Sequence, residues 1–381
     1  MLMYTIAIRM LIGDRVKYLI LISALAFASL LIIQQAGVFW GVMHWTTAII
    51  TNTNVPIWVV DSKVQQINNL KSLSDTDLAR VRSVRGVKWA EPYYSSILNA
   101  KQYTGNFLEV QLVGVDSSTL IGIPTEMVKG KLEDLRQSKA VIVDAIGLKK
   151  INQDLPKPLD LGDTFDINDH EVKIVGIVRA EQPFSGTPFI YTTYEHAISI
   201  APPMRRTLSA ILVQPEKSLS VDQVVKEIEG QTRLKAYTSN EFFWRTIYWF
   251  FTKTGIPVSF GSTIVLGFIV GLTVSSQTFY SFVNENLGNF GALKAMGASE
   301  ALLKRMLLVQ VFLAGFIGYG IGLGLASTFG FFSIASDLLP FYLSWQFPLL
   351  TFLSIIAICL FSVFLSIRKI RQLETSEVFR V

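Results

Sequence analysis

Over four long stretches this chain has no charge. No Asp, Glu, Lys or Arg occurs from Tyr18 to Val60, from Thr254 to Asn284, from Met306 to Ser336, or from Leu338 to Ile367. A helix needs ~20 mostly apolar residues to cross the hydrocarbon core of a bilayer. Each stretch is long enough, and stretches of roughly 30 uncharged residues are too long for helices of a soluble core. Cysteine is nearly absent as well. The single Cys359 lies in the fourth stretch, so any domain outside the membrane must be stable without disulfides. Histidine is scarce, and His44, His170 and His196 have no metal-ligand spacing. There is no GxxxxGK[ST] loop to cradle a nucleotide phosphate and no GxSxG elbow. No catalytic chemistry and no cofactor is expected in this chain.

What is present is a membrane layout. Spans are expected at 18–45, 256–283, 305–333 and 347–367, with an α/β (α+β) extracytoplasmic domain inserted at 46–255. The first span could be a cleaved signal, since Arg9, Arg15 and Lys17 precede it and Ala24-Leu25-Ala26 offers a small-x-small site. Apolarity continues through Leu30, Leu31, Ile32 and Ile33, longer than a signal core, so a retained helix is expected. Orientation follows from basic residues. With the N-terminus inside, segments 1–17, 284–304 and 368–381, with Arg305 at the membrane edge, carry Arg9, Arg15, Lys17, Lys294, Lys304, Arg305, Arg368, Lys369, Arg371 and Arg380. Only Asp14, Glu285, Glu300, Glu374 and Glu377 oppose them. Short loops rich in Lys and Arg stay cytoplasmic. The short outer loop at 334–346 has none. The net charge of +5 thus reports topology rather than nucleic-acid binding. Trp40, Trp45, Trp244, Tyr248, Trp249, Tyr342 and Trp345 mark the outer boundary, where amphipathic rings favour the interface.

Residues 1–17 suit a short helix on the inner membrane surface. The first span grades into Thr46, Thr47 and Thr51–Asn54, as one long helix leaving the membrane would. In the domain, "LSDTDLARVRSV" has an N-cap in Ser74. "FLEVQLVGVD" and "HEVKIVGIV" alternate as strands, and Asn168-Asp169 fits a hairpin turn. "SVDQVVKEIEG" reads as a helix ending at Gly230. Two subdomains are compatible with the pattern. "EFFWRTIYWFFTKTG" reads as an interfacial helix before the second span, with a core helix as the alternative. Gln34, Gln35, Gln277 and Gln310 are expected to bond between helices, and Gly318, Gly320, Gly322 and Gly324 to let helices approach closely.

The cytoplasmic stretch "VNENLGNFGALKAMGASEALLKR" is the most informative. Leu287, Phe290, Leu293 and Met296 place an apolar stripe on a short helix. Gly297 stands where a left-handed residue would end it, and Ser299 can cap the next helix. Such a helix, tied to two spans, serves as a docking element or lies against lipid. Both remain open from these residues alone.

"LKAMGAS" after Glu285, followed by a glycine-rich span, resembles the MacB/FtsX family of ABC-transporter permeases. "VIVDAIGLKKI" and "LGDTFDINDHEVKIVGIV" look like that family's periplasmic domain, and "IRKIRQLETSEVFRV" like its basic tail. "VPIWVVDSKVQQI" and "FIVGLTVSSQTFYSF" resemble the DevC-like branch. Two departures stand out: Asn289-Phe290-Gly291 replaces the usual acid before Ile-Gly, and "LETSEV" lacks the tail proline. The resemblance implies a bacterial inner-membrane homodimer with cytoplasmic termini. It would bind a separate ABC ATPase through Glu285, Leu287, Phe290, Gly291, Leu293, Lys294, Met296 and Gly297. It further implies a membrane-fusion adaptor, an outer-membrane channel, and export of a lipid, glycolipid or other hydrophobic or peptide-like compound. An FtsX-like mechanical relay to a cell-wall hydrolase and a lipoprotein-release permease are the alternatives.

The basic-residue count gives a direct test. In a Cys359→Ala background, single cysteines at Ser72 and Ser218 will label with an impermeant reagent added to intact cells with a permeable outer envelope. Cysteines at Asn289 and Ser376 will not. Labelling at Asn289 would reverse the orientation.

Overall fold

A computed structural model of the chain describes residues 2–102, 104–153, 155–336 and 339–371. Asp337, in the loop expected to be on the outer side, and the tail beyond Arg371 lie outside the described residues. The chain divides into two compact units, residues 1–41 with 255–381, and Val42–Thr254.

The first unit is helical. It contains α1 (Leu2–Gly13), most of α2 (Arg15–Thr46), α9 (Ile256–Glu285), α10 (Leu287–Ala295), α11 (Glu300–Ser336) and α12 (Gln346–Arg371). The helices α2, α9, α11 and α12 are each long and apolar enough to cross a membrane. One core joins them, with Leu21 and Leu25 of α2, Phe279 and Phe282 of α9, Leu307 and Val311 of α11, and Ile358 and Cys359 of α12. Lipid tails are as apolar as leucine, so helices adhere in a bilayer through close packing and a few hydrogen bonds. Both are visible here. A Cβ on Gly322 would lie 2.5 Å from the Ala26 carbonyl oxygen, and one on Gly318 2.7 Å from Leu25 Cβ, so α11 touches α2 at these two glycines. Gly320 and Gly324 have no such neighbour within 4 Å and face away. They are two residues off the contacting pair, which on a helix is the opposite side. Within the chain, close contact falls at Gly318 and Gly322, and Gly320 and Gly324 meet no other helix of it. A second seat was not foreseen. Gly37, Gly41 and Gly330 leave room for Pro340 and Phe341, and the Tyr342 amide donates to the Gly37 carbonyl at 3.0 Å.

The helix α1 does more than rest on a surface. Its Ala7 and Leu11 are buried in the same core, and the buried Gln310 amide of α11 donates to the Ala7 carbonyl at 2.8 Å. Gln310 thus makes the interhelical bond expected of it. Gln277 instead points out of the unit. Ser276 and Ser362 meet at 3.0 Å between α9 and α12.

The second unit is an α/β domain. It begins in α2, which breaks at Thr47; a short α3 (Ala48–Thr53) follows and closes on Asn54 in the left-handed region. The other helices are α4 (Asp75–Arg82), α5 (Ala145–Ile151), α6 (Tyr194–Ile200), α7 (Val221–Thr232) and α8 (Ser239–Lys253). The strands are β1 (Ile57–Val60), β2 (Val87–Lys101), β3 (Phe107–Val115), β4 (Met127–Gly130), β5 (Ala140–Asp144), β6 (Thr164–Ile167), β7 (His170–Val178), β8 (Phe189–Thr193), β9 (Ala210–Pro215) and β10 (Lys235–Thr238). They form one mixed sheet in the order β10-β1-β9-β2-β3-β8-β5-β7-β4, with β6 beside β2 and β7.

Alternation along the strands divides the apolar residues between faces. Ile57, Val59, Ile211 and Val213 pack under α4 and α7, while Trp58, Val60, Ala210 and Leu212 pack on the other face with α3 and α8. Val141 and Val143 join a third core with α5 and α6. The long β2 is shared, so the two possible subdomains are parts of one continuous sheet.

Local signals explain the elements. Ser74 and Asp77 form a capping box at α4, and Ser220 and Gln223 form another at α7. Asn168 and Asp169 both have positive φ (49° and 62°), the two-residue hairpin turn read from the sequence. One boundary differs. The helix α7 passes Gly230 and ends at Thr232, because Val224, Ile228 and Thr232 continue its buried stripe; Arg233 takes the left-handed position instead. In α8, Phe242, Thr246, Ile247 and Phe250 are buried in the domain, while Trp244, Tyr248 and Phe251 are exposed. The aromatic segment is thus a core helix on one face and a ring-rich surface on the other.

The buried Asp144 caps α5 and accepts from the amides of Gly147 and Phe189 (2.6 Å each) and from the Gln182 side chain (2.9 Å). Burial pushes its carboxyl up to about 6. The Lys150 ammonium in turn reaches Gln182 and the Gly186 carbonyl. Both carboxylate oxygens are engaged by the fold itself, which makes Asp144 a structural staple.

The glycine assignment is testable by thermal melting of the detergent-solubilised chain. Gly318→Val and Gly322→Val will each lower stability by about 1–3 kcal/mol through overpacking. Gly320→Val and Gly324→Val will leave it nearly unchanged. Equal losses at all four would refute the α2–α11 contact.

Candidate coupling site

The connection between α9 and α11 is built with little slack. Asn286 is at once the end of α9 and the start of α10: its amide donates to the Phe282 carbonyl (3.2 Å) and its carbonyl accepts from Phe290 (3.0 Å). At the other end Gly297 has φ +96°, the left-handed conformation that favours glycine. Its amide bonds to the Lys294 carbonyl and the Ala298 amide to the Leu293 carbonyl, both at 3.0 Å. This pair of bonds is a Schellman termination. Ser299 then caps α11, its hydroxyl accepting from the Leu302 amide at 3.3 Å.

Three of the four stripe residues on α10, Leu287, Phe290 and Leu293, face inward, and the fourth, Met296, does not. Phe290 is 0% exposed, Leu293 is buried, and Leu287 packs on the same core beside Ala7, Phe282 and Met306. Gly291 is buried with them. This corrects the expectation that Phe290 and Leu293 are open anchors for a partner. Their apolar surface is already covered by α1, α9 and α11. Met296, at the end of the helix, is 76% exposed. The outward face carries Gly288, Asn289, Ala292, Ala295 and Met296. Apart from Met296 its side chains are small, which is why hydrophobic periodicity did not reveal it.

The charged residues lie at the two ends. Glu285 pairs with Lys17, which also holds Asp14 at 3.0 Å, so the last residue of α9 is tied to the start of α2. Ser281 donates to Glu285 at 3.3 Å. Lys294 stands 3.8 Å from Glu300. A shallow depression of about 650 Å³, lined by Met10, Asp14, Arg15, Glu285 and Asn289, adjoins α10. Among the described residues no group of His, Cys, Asp or Glu could hold a metal ion. The arrangement presents a surface that a protein can meet.

Comparison with known proteins agrees with this architecture. Residues 19–231 match the MacB-like periplasmic core domain family, and residues 258–375 match the FtsX-like permease C-terminal family. The chain therefore belongs to the MacB/FtsX type of membrane-spanning ABC-transporter permease, whose members work with an ABC ATPase. Several solved structures are similar, two of them as follows. One is the extracellular domain of YknZ, a noncanonic ABC-type transporter from Gram-positive bacteria, with 16% identity over 48% of this chain and 98% of that chain and a TM-score of 0.36. The other is the periplasmic region of MacB from Actinobacillus actinomycetemcomitans, with 14% identity over 49% of this chain and 90% of that chain and a TM-score of 0.38. No curated protein matches the chain.

The inward stripe has a measurable signature. Phe290→Ala will destabilise the solubilised protein by about 3–5 kcal/mol, as for other buried phenylalanines. Gly297→Val will cost about 1–2 kcal/mol for a left-handed residue with a side chain. Met296→Ala will leave the melting temperature unchanged. A stable Phe290→Ala with an unstable Met296→Ala would invert the two faces of α10.

Proposed function

We propose that the chain is the permease subunit of an ABC-type exporter of the bacterial inner membrane, with both termini cytoplasmic. Two copies form a homodimer, and each binds one copy of a separate ATPase. ATP binding and hydrolysis there move the spans, and the motion drives the extracytoplasmic domain. The cargo is a lipid, glycolipid or other hydrophobic or peptide-like compound, passed to a membrane-fusion adaptor and an outer-membrane duct. The DevC-like segments named above support this export reading.

The observation that carries the proposal is the construction of α10. It is fixed to two spans by defined terminations, and its inward face is covered. Its outward face is flat and small, with one projecting methionine. A flat face lets a partner approach the backbone closely, and a flexible thioether fills an irregular pocket. A helix lying only against lipid would turn its large apolar residues outward, and α10 does the reverse. The uncharged spans offer no ion relay, which supports an energy source in a partner chain.

Co-expression with the cognate ATPase tests this. Ala292→Arg and Met296→Glu will weaken ATPase association by about 2 kcal/mol or more, the cost of a lost anchor, without lowering the permease melting temperature. The periplasmic Lys217→Ala will bind as the parent does. The permease alone will not hydrolyse ATP. Unchanged association in both α10 variants would remove α10 from the interface.

A further inference from the structure

The hydrogen-bond ladder along β2 has a gap. The strand β9 pairs with β2 from Val87 to Tyr93, and β6 pairs with it only at Ala100 and Lys101. Before β9 the chain leaves β2, and Leu208 bridges to Leu73 instead. On the other side β3 runs the whole distance, from Tyr93 to Lys101. The Gln111 amide of β3 donates to Pro188 at 2.8 Å, so Gln111 turns its backbone toward β8. Its cross-strand partner Ile97 therefore turns its own N–H and C=O away from β3, into the gap. Ser95 and Asn99 point the same way.

Improvised partners cover part of this edge. The Ser209 hydroxyl accepts the Ser95 amide at 3.0 Å, the Arg205 guanidinium donates to the Ile97 carbonyl, and the Asn168 amide donates to the Asn99 carbonyl at 2.9 Å. Among the described residues no acceptor is recorded for the Ile97 amide. The gap opens into a groove of about 490 Å³. Lys71 and Arg205 line it, and among the described residues no carboxylate does. Phe184 and Ile97 are exposed there, and Met204 is 95% exposed.

We propose that this groove docks an extended, acidic polypeptide segment of a partner protein, which adds a strand to β2 between β9 and β6. An open strand edge is a template for another strand. In such additions main-chain bonds supply affinity, and pockets for alternate side chains supply specificity. The incoming backbone takes the Ile97 amide and carbonyl. Arg205 swings to a partner carboxylate, for which its planar fork is suited. The exposed Phe184 and Met204 receive the apolar side chains between the acids. A second copy of this chain fits less well, since pairing two such grooves would bring Lys71 and Arg205 against their own copies.

The inference needs no ATPase, and its test uses the solubilised full chain alone, so its failure would leave the coupling proposal standing. The probe is a fluorescent, end-capped octapeptide of alternating Val and Glu. Controls are the alternating Val/Lys peptide and a Val/Glu peptide N-methylated at every second residue. The Val/Glu peptide will bind saturably. Both controls will bind at least about tenfold more weakly, the equivalent of one or two hydrogen bonds. Ile97→Pro removes the open amide at an edge position where proline is tolerated, and it will weaken binding about tenfold with the melting temperature unchanged. Arg205→Glu will reverse the preference between the acidic and basic peptides and still decides the matter if Ile97→Pro fails to fold. Equal binding of acidic and basic peptides overturns the proposal. So does equal binding of the N-methylated peptide, or quantitative disulfide formation between two copies carrying Ile97→Cys in the Cys359→Ala background.

Discussion

Close approach at small residues is the constraint on which the helical unit depends: Gly318 and Gly322 bring α11 to α2, Gly271 brings α9 to α2, and Gly315 brings α11 to α12. In a bilayer no hydrophobic force brings helices together, so contact rests on shape and on the few polar groups that find partners. Gly318 and Gly322 let the α11 backbone reach within contact of Ala26 and Ser29. That contact sets where the next residues of α11 stand. Gln310, two turns earlier, meets the Ala7 carbonyl, and this holds α1 in the core. Ala7 and Leu11 of α1 are then buried in the same core as Phe290 and Leu293 of α10. The surface read as a coupling site thus lies on the outer side of a packed core in which small residues let the helices meet.

Magnitudes decide what fixes α10. The pairs Lys17–Glu285 and Lys294–Glu300 are at least partly exposed, and exposed ion pairs contribute little after side-chain entropy and screening. Burying a phenylalanine or leucine is worth about 1.5–3 kcal/mol each. The inward stripe therefore sets the orientation of α10, and the ion pairs trim its ends. A partner pressing on the outer face acts on a helix already seated.

Much of this was legible in the residues. Missing charge located the four long apolar helices, and capping signals located Ser74 and Ser299. The Asn168-Asp169 pair located a hairpin. These features are local, so a short stretch of sequence contains their cause. The facing of α10 was not local. Periodicity showed that Leu287, Phe290 and Leu293 share a side, but a membrane-edge helix can turn that side to lipid, to a partner or to its own core. Only the positions of α1 and α11 decide among these. The same holds for "GYGIGLG", where alternate glycines fall on opposite faces, and for Gly37 and Gly41, whose occupant arrives from Phe341 far along the chain. The gap in β2 left no mark at all, because an unpaired stretch of a strand has the same alternation as a paired one.

The two surfaces singled out here differ in a way that follows from their surroundings. At the α10 face recognition must come from shape, since its side chains are small and nearly uncharged. Small side chains give up little rotamer freedom, so a partner that fits pays little ordering entropy, and a misfit of one side chain is felt at once. At the β2 groove the offered groups are backbone amides and carbonyls, which every polypeptide can meet. Discrimination there must come from the two cations and the absence of carboxylates. A tight mechanical contact suits the first kind of surface, because energy is transmitted only where the two states of the partner differ in fit. The second kind tolerates sequence variation along its occupant so long as charge is kept. The two proposals thus give one chain a stiff recognition surface built on a helix and a permissive one built on a strand edge, each set by which atoms its fold leaves uncovered.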